Sequence, residues 1–262
     1  MTSTPIHVVL HGGLGNQLFQ YLRVRAMIIS GESWRPVRLY ADLLGRYNSA
    51  RSLDLKQLLD AEQFAGVDVV LIDAVSRLRL PKLLAKLTRK EWVWELPFHG
   101  AIVDGYFQHP SALCDLPSQA LHDLVGGWRD GLVKQGLLPQ AQDREAIAHM
   151  RLGDFFPRPG QALAYAAQRL EKVPNGTDIL TDQEAVVAKA IAEAGRTSHL
   201  QVVPSSTLEA WQLLKLMARY KRVATNGSTL AFWSAALGGS DLLTSNALHQ
   251  QMFPRLQAVK KN

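Results

Sequence analysis

Short apolar runs alternate with amphipathic segments along the whole chain. Apolar runs predict strands at residues 6–10, 37–40, 67–72, 101–106, 147–151, 178–180, 200–203, 222–224 and 242–243. Helical spacing of apolar residues predicts helices between several of them, at residues 18–29, 161–172, 183–194 and 207–220. Continuous apolar strands separated by helices are typical of parallel sheets covered on both faces. The pattern therefore predicts an α/β fold with doubly wound sheets.

A polar stretch near the middle of the chain predicts a domain boundary. Residues 135–144 contain Gly136 and Pro139 and few β-branched residues, as a linker does. They divide the 262 residues into units 1–138 and 139–262, each the size of a Rossmann-like domain. We expect the two units to face a cleft. Ligands of such sheets bind at the carboxyl ends of the strands, so motifs at those ends carry the most weight.

Composition places the chain among ordinary globular proteins. It is 47% hydrophobic and 20% charged. The single cysteine, Cys114, excludes an intramolecular disulfide and a multi-cysteine metal site. No apolar run approaches the roughly 18 residues that span a bilayer, and no signal-peptide pattern is visible. We therefore expect a cytoplasmic protein.

The positive charge is concentrated in one segment. The chain carries a net charge of +6, and residues 77–90 hold six basic residues without an acid, beside leucines at helical spacing. This pattern predicts a basic amphipathic helix that either packs its leucines inward or contacts an anionic membrane. On a membrane each basic residue contributes about 1 kcal/mol. No nucleic-acid-binding motif accompanies the charge, so we expect no nucleic-acid partner.

A glycine-rich loop, GGLGNQLFQY, follows the first predicted strand and opens a helix. Such loops approach ligands closely, and the helix end favours anions, often nucleotides. Gly13 and Gly15 match the first two glycines of the dinucleotide-binding pattern, and Asp42 can serve as its ribose-binding acid. One interpretation is therefore an NAD-dependent oxidoreductase. Leu18 stands in place of the third glycine. The spacing from Gly15 to Asp42 is longer than the roughly 20 residues that are typical of the pattern.

A second motif, HMRLGD, ends the strand predicted at 147–151. His149 and Arg151 are two residues apart and share one face of an extended strand. Arg151 can donate two N–H groups to phosphate oxygens and stays protonated. Asp154 can accept a proton or hold Arg151. The alternative is an ion pair at the end of a strand.

Two further segments lie where strands run into helices. In ILTDQ, Thr181 or Asp182 can cap the next helix, or Asp182 can accept hydrogen bonds from the edge of guanine. In TNGST, the small residues Gly227, Ser228 and Thr229 form a turn that can hold a diphosphate or simply cap the helix.

Taken in order, these motifs resemble a known family. GGLGNQLFQY, GYFQ, HMRLGD, ILTDQ and NGSTLAFWSAAL are similar to the GGLGNQMFQYA, GYFQS, HIRRGDY, FSDD and ANSSFSWWGAWL-like segments of the α-1,2-fucosyltransferases, which use GDP-fucose. The resemblance spans roughly residues 8–240.

The resemblance implies a metal-independent, inverting glycosyltransferase of the GT-B type that needs no cofactor. GDP-fucose is the donor, and the acceptor is a galactoside-like or lipid-linked sugar in surface polysaccharide assembly, which suits a membrane contact through 77–90. The carboxyl-terminal unit would bind the donor and the amino-terminal unit would shape the acceptor side. The residues matched to these roles are Arg151 for the departing diphosphate, Asp154 as base, His149 for the nucleoside, Asp182 for guanine, Ser228 and Thr229 for phosphate oxygens, and Gly13, Gly15, Asn16 and Gln17 for the cleft loop.

The chain also departs from the family pattern. Leu152 stands where a second arginine is usual, Gln183 replaces an acid, and Gly227 falls at the position of an asparagine. These changes leave the donor handling and the acceptor preference open. They also leave a non-catalytic carbohydrate- or membrane-associated protein as a third interpretation.

Overall fold

The structure is a computed structural model that describes residues 5–30, 36–40, 53–56, 69–72, 92–96, 100–113, 116–153, 156 and 158–257. The chain divides into two compact units, Met1–Leu132 and Val133–Asn262. The predicted basic helix at 77–90, together with Asp42, Cys114 and Asp154, lies outside the described residues. Within the described part of the chain, no helix is long and apolar enough to cross a membrane.

The first unit contains a five-stranded sheet of order β3-β2-β1-β5-β4. Its strands are β1 Ile6–Val9, β2 Val37–Tyr40, β3 Val69–Ile72, β4 Trp92–Leu96 and β5 Gly100–Asp104. β1, β2, β3 and β5 are parallel, whereas β4 runs antiparallel to β5 at the edge. The sequence pattern did not predict β4. β4 has the sequence WVWEL, apolar at four of its five positions, and it closely follows the basic segment 77–90, for which the sequence predicts a helix.

Two long helices build the core of the first unit. Helix α1, Leu14–Ile29, begins four residues earlier than predicted, because Gly13 is its N-cap and the carbonyl of Gly13 accepts from the amides of Asn16 and Gln17. Helix α2, Ser118–Lys134, buries Leu121, Val125, Trp128 and Leu132 along one face. The rings of Tyr21 and Trp128, 5.7 Å apart, pack α1 against α2.

The second unit contains a parallel sheet of order β10-β9-β6-β7-β8. Its strands are β6 Arg144–Met150, β7 Thr177–Thr181, β8 Leu200–Val202, β9 Tyr220–Thr225 and β10 Asp241–Thr244, at all five predicted places. All neighbouring pairs are parallel. Between β6 and β9 the strand order reverses, since the chain leaves β6 toward β7 and leaves β9 toward β10. Open α/β sheets bind their ligands at this point.

Five helices pack on this sheet. They are α3 Pro159–Leu170, α4 Glu184–Glu193, α5 Ala210–Met217, α6 Thr229–Gly238 and α7 Ala247–Leu256. α3 and α4 share a core with β6 and β7 that includes Met150, Ala166, Ile179 and Val187. α6 is buried from Ala231 to Gly238, and Phe232 on it packs against Phe253 of α7. The predicted α/β class is confirmed in both units, each with a parallel sheet flanked by helices, and the first unit adds one antiparallel strand.

Candidate functional site

The ends of β6 and β9 form the centre of a candidate site in the second unit. In the sheet register His149 of β6 pairs with Thr225 of β9. The chain continues from β6 through Arg151 to Gly153 and from β9 through Asn226 to Ser228. Two of the sequence motifs, HMRLGD and NGST, therefore meet at the point where the strand order reverses.

His149 is buried at this point, with 7% of its surface exposed. Its Nδ1 is among the buried atoms of the described residues that have no hydrogen-bond partner. Burial lowers the pKa of His149 to about 4, the nearby Arg151 cation acts in the same direction, and the Asp182 carboxylate opposes them. The imidazole is therefore neutral near pH 7. A buried polar atom of this kind calls for a hydrogen-bond partner, which an ordered water or a bound ligand can supply.

Asp182 holds the turn that follows β6. Its Oδ1 accepts from the amide of Leu152 at 2.8 Å and its Oδ2 accepts from the amide of Gly153 at 3.1 Å. The alternative that Asp182 caps α4 is wrong, because the N-cap of that helix is Gln183 and no side chain caps it. A carboxylate that accepts two backbone N–H groups fixes the turn in which Arg151 stands.

Asn226 links the two strand ends. Its Nδ2 donates to the carbonyl of Arg151 at 3.4 Å and to the hydroxyl of Tyr165 on α3 at 3.2 Å. The Tyr165 hydroxyl also accepts from Arg169 Nε at 2.9 Å, and the Tyr165 ring packs on Phe156 at 4.5 Å. The sequence analysis did not find Tyr165, because a helical tyrosine carries no motif of its own.

The amino-terminal end of α6 follows the end of β9 after a short turn. Ser228 is the N-cap, its Oγ accepts from the amide of Ala231 at 3.4 Å, and its own amide donates to Thr225 Oγ1 at 3.0 Å. Gly227 has a φ of +111°, a conformation that L side chains rarely adopt. The capping alternative for Ser228 is therefore present in the structure. Capping is compatible with anion binding, since the helix dipole favours negative charge at this end.

A pocket of about 170 Å³ runs along β6, β9 and β10 beside α3. His149, Thr225 and Asn226 contribute to its lining, with Arg169 and Lys172 from the α3 side. Its volume is below the 300–1,000 Å³ of a typical ligand site. It has room for one ring system and not for a complete sugar nucleotide. Asp182 is not among its lining residues.

In the first unit, the glycine-rich loop is held by its own amide side chains. Asn16 Oδ1 accepts from Gln108 Nε2 at 2.9 Å, which joins this motif to GYFQ. The buried Gln17 donates to the carbonyl of Gly12 at 3.1 Å and accepts from the amide of Leu55 at 3.0 Å. At Gly12, where φ is +71°, a Cβ would collide with the side chain of Asn16. Gly13 is the N-cap of α1 and Gly15 lies in its first turn. These two glycines, which the sequence analysis assigned to the cleft, also form the start of the helix.

A histidine and an aspartate that the sequence analysis missed form a close pair at the ends of β1 and β5. His11 Nε2 and Asp104 Oδ1 are 2.5 Å apart. His11 directly precedes the glycine-rich loop and Asp104 directly precedes GYFQ, so adjacency to two motifs was the available signal. Within the described ranges, no group of three or more histidine, cysteine or acidic residues could hold a metal ion.

No family model and no curated protein matches this sequence. Among solved structures, the chain is similar to NodZ α-1,6-fucosyltransferase co-crystallised with GDP, at 15% identity over 90% of this chain and 93% of that one, with a TM-score of 0.46. It is also similar to fucosyltransferase NodZ from Bradyrhizobium, at 16% identity over 90% and 94%, with a TM-score of 0.48. A mutant of Arabidopsis thaliana FUT1 in complex with GDP is similar at 13% identity over 92% and 70%, with a TM-score of 0.46.

Proposed function

We propose that this protein is an inverting glycosyltransferase that transfers L-fucose from GDP-fucose to a hydroxyl, O2, of a galactoside-like acceptor without a metal ion. The observation that carries the proposal is the site at the ends of β6 and β9. There a neutral, buried His149 with an unsatisfied Nδ1 stands two residues before Arg151, beside the amino-terminal end of α6. The ordered motifs of the sequence and the GDP that two of the similar structures contain support the nucleotide.

The roles follow from the chemistry of the groups. Breaking the bond between C1 of fucose and the diphosphate produces an oxocarbenium-like centre and places negative charge on the departing GDP. Arg151 supplies a permanent positive charge for that diphosphate. Ser228 and Thr229, at the positive end of α6, donate to its phosphate oxygens.

His149 is the proposed contact of the nucleoside. A neutral imidazole can donate or accept one hydrogen bond at Nδ1, depending on its tautomer. Asp182 has a positioning role through the amides of Leu152 and Gly153. Each of its oxygens keeps a second lone pair for the guanine edge that the sequence analysis assigned to it. His149 lines the ring-sized pocket and Asp182 does not, which favours His149 as the nucleoside contact.

In this proposal the first unit shapes the acceptor side of the reaction. The cleft-loop residues of that unit are Gly13, Gly15, Asn16 and Gln17. A lipid-linked acceptor agrees with the six basic residues of segment 77–90. Peripheral contact of this segment with the inner face of the cytoplasmic membrane is part of the proposal. Co-sedimentation with anionic vesicles that added salt reverses is its expected signature.

Arg151→Ala is the decisive substitution for the donor site. We expect it to lower the rate of GDP release from GDP-fucose, with a panel of β-galactosides, about 10²- to 10³-fold, since it removes the main charge that stabilises the leaving group. The melting temperature should change little. Arg158→Ala, seven residues later on an exposed position, is the matched control and should keep the wild-type rate. Full activity of Arg151→Ala would remove Arg151 from the site. Absence of both GDP binding by calorimetry and transfer in the wild type would refute the proposed function.

A further inference from the structure

The ring-sized pocket of the second unit combines apolar walls with two positive charges. All of its lining residues belong to that unit. Met150, Val173 and Leu243 offer apolar contacts, and Arg169 and Lys172 bring charge from the carboxyl-terminal end of α3. Among the described residues, no carboxylate lines the pocket or is paired with either cation. This composition suits a planar ring that carries hydrogen-bond acceptors on its edge.

Arg169 is held in place by its own helix. Its Nε donates to the hydroxyl of Tyr165 at 2.9 Å, and its guanidinium carbon lies 5.2 Å from the centre of the Tyr165 ring. Tyr165 is fixed in turn, since its ring packs on Phe156 and its hydroxyl accepts from Asn226 Nδ2. In the part of the chain that the structure describes, no hydrogen bond occupies the two Nη nitrogens of Arg169. They form a planar, preorganised pair of donors.

A buried nitrogen in the same pocket indicates a ligand independently of the charges. His149 is 7% exposed, and its Nδ1 has no hydrogen-bond partner among the described residues. His149 lines the pocket together with Arg169, from β6 on the one side and from α3 on the other. A ring with polar atoms around its rim would reach both groups while its faces contact the apolar walls.

The donors of Arg169 determine which purine fits this edge. Guanine presents two acceptors, N7 and O6, side by side on one edge. Adenine has N7 at the same place but an amino group instead of O6. A guanidinium only donates hydrogen bonds, so it can bind both acceptors of guanine, whereas the adenine amino group would direct its own N–H toward it.

We propose that Arg169 selects the base of the sugar nucleotide by donating its two Nη groups to O6 and N7 of a 6-oxopurine in this pocket. The inference rests on the proposed function, because it places the nucleoside of the donor there. Arg169 is a specificity-determining residue and does not touch the reacting C1 of the sugar. Tyr165 is a positioning residue that acts through Arg169.

The base preference of an Arg169 variant tests this role. We expect Arg169→Met, which keeps the apolar stem, to lower the preference of the full chain for GDP over ADP about 10- to 100-fold in calorimetry, the discrimination that a bidentate pair provides. A charge that acted only on the diphosphate would weaken GDP and ADP equally and leave their ratio unchanged. Lys189→Met is the matched control, since it removes an exposed lysine of α4 paired with Glu193, and it should keep both affinities.

A modified base tests the same contact without changing the protein. 7-Deaza-GDP has a C–H group in place of N7 and cannot accept a hydrogen bond there. The wild type should bind it about 10-fold more weakly than GDP, because a hydrogen bond to a charged donor is lost. Arg169→Met should bind the two nucleotides equally well. Tyr165→Phe, which removes the hydroxyl that holds Nε, should lower the preference for GDP over ADP less than Arg169→Met does.

The outcomes are distinct. A wild-type protein that neither binds GDP nor transfers fucose overturns the proposed function and the role of Arg169 together. A wild type that binds GDP, with the same ratio of GDP to ADP affinity in Arg169→Met, overturns the role of Arg169 alone. Equal affinity of the wild type for 7-deaza-GDP and GDP does the same, whether or not the variants fold. If Arg169→Met weakens the binding of pyrophosphate as much as that of GDP, Arg169 binds phosphate and its role as the reader of the base is overturned.

Discussion

At the scale of single residues, the structure gives two buried histidines a defined protonation state. His149 stands on β6 in the donor site, and His249 stands on α7 with its ring 4.9 Å from that of Phe232. Burial is the main cause that lowers the pKa of each from 6.5 to about 4. Both are neutral in the folded protein at neutral pH.

This neutrality predicts a loss of stability in acid. In the unfolded chain both imidazoles gain a proton as the pH falls through 6.5, whereas in the folded chain they stay neutral down to about pH 4. Stability that is fully present above pH 6.5 is therefore lost progressively as the pH falls toward 4. His249→Phe removes one of the two titrations. We expect the melting temperature of this variant, relative to the wild type, to be higher at about pH 5 than at pH 7. A difference that is independent of pH would contradict the buried neutral state of His249.

The sequence alone did not predict the contacts that Asp182 makes in the structure. Asp182 was expected to cap a helix or meet guanine. It does not cap the helix, and it accepts from the amides of Leu152 and Gly153, while the guanine contact stays a prediction. Those contacts join positions 30 and 29 residues apart, so no local pattern indicates them. The same applies to His11 and Asp104, which are 93 residues apart. Long-range pairs of this kind come from the sheet register, which the sequence does not show.

At the scale of elements, the largely buried α6 combines a stability role and a proposed binding role at its N-cap residue. Ser228 caps the helix, and its place at the positive end of the dipole also suits a phosphate. Two substitutions separate these roles, because aspartate is as good an N-cap as serine and adds a negative charge.

We expect Ser228→Asp to keep the melting temperature of the wild type and to lower GDP affinity at least about 10-fold, through repulsion between carboxylate and diphosphate. Ser228→Ala should cost about 1 kcal/mol of stability and have the smaller effect on GDP affinity. Calorimetry and thermal unfolding measure the two effects separately. Equal GDP affinity for Ser228→Asp and the wild type would place the diphosphate elsewhere.

Strands were predicted more reliably than helix starts, for a physical reason. The strands of the second unit are short apolar runs, because helices cover the sheet on both faces. The start of α1 was placed too late, since the pattern of apolar residues begins after the glycines, whereas the first hydrogen bonds form at the carbonyl of Gly13. β4 was missed although four of its five residues are apolar, since it closely follows segment 77–90, where the spacing of the leucines favours a helix.

At the scale of the whole molecule, the two units divide the proposed functions between them. The groups assigned to GDP-fucose belong to Val133–Asn262, and the glycine-rich loop assigned to the acceptor side belongs to Met1–Leu132. The NAD interpretation makes the opposite assignment, since it places the nucleotide at Gly13 and Gly15 in the first unit.

Hydrogen exchange in the presence of each nucleotide distinguishes these assignments. A ligand present at 100 times its Kd stabilises the folded state by about 2.7 kcal/mol. GDP should therefore raise the melting temperature and slow amide exchange after β6 and β9, at Leu152, Gly153 and Ser228. NAD should do neither. Protection of the amides of residues 12–17 by NAD, without an effect of GDP, would favour the oxidoreductase.

The amide of Gln20 has a consequence for how this chain can vary. It joins the segment after β1, at His11, to the segment after β5, at Gly105, through hydrogen bonds to two main-chain groups. Main-chain groups are common to all residues, so the joint tolerates many side chains in both segments but no independent displacement of either. An insertion in one segment that moved its backbone would require a compensating change in the other. Insertions and deletions in the two segments should therefore show strong epistasis, whereas side-chain substitutions within them should not.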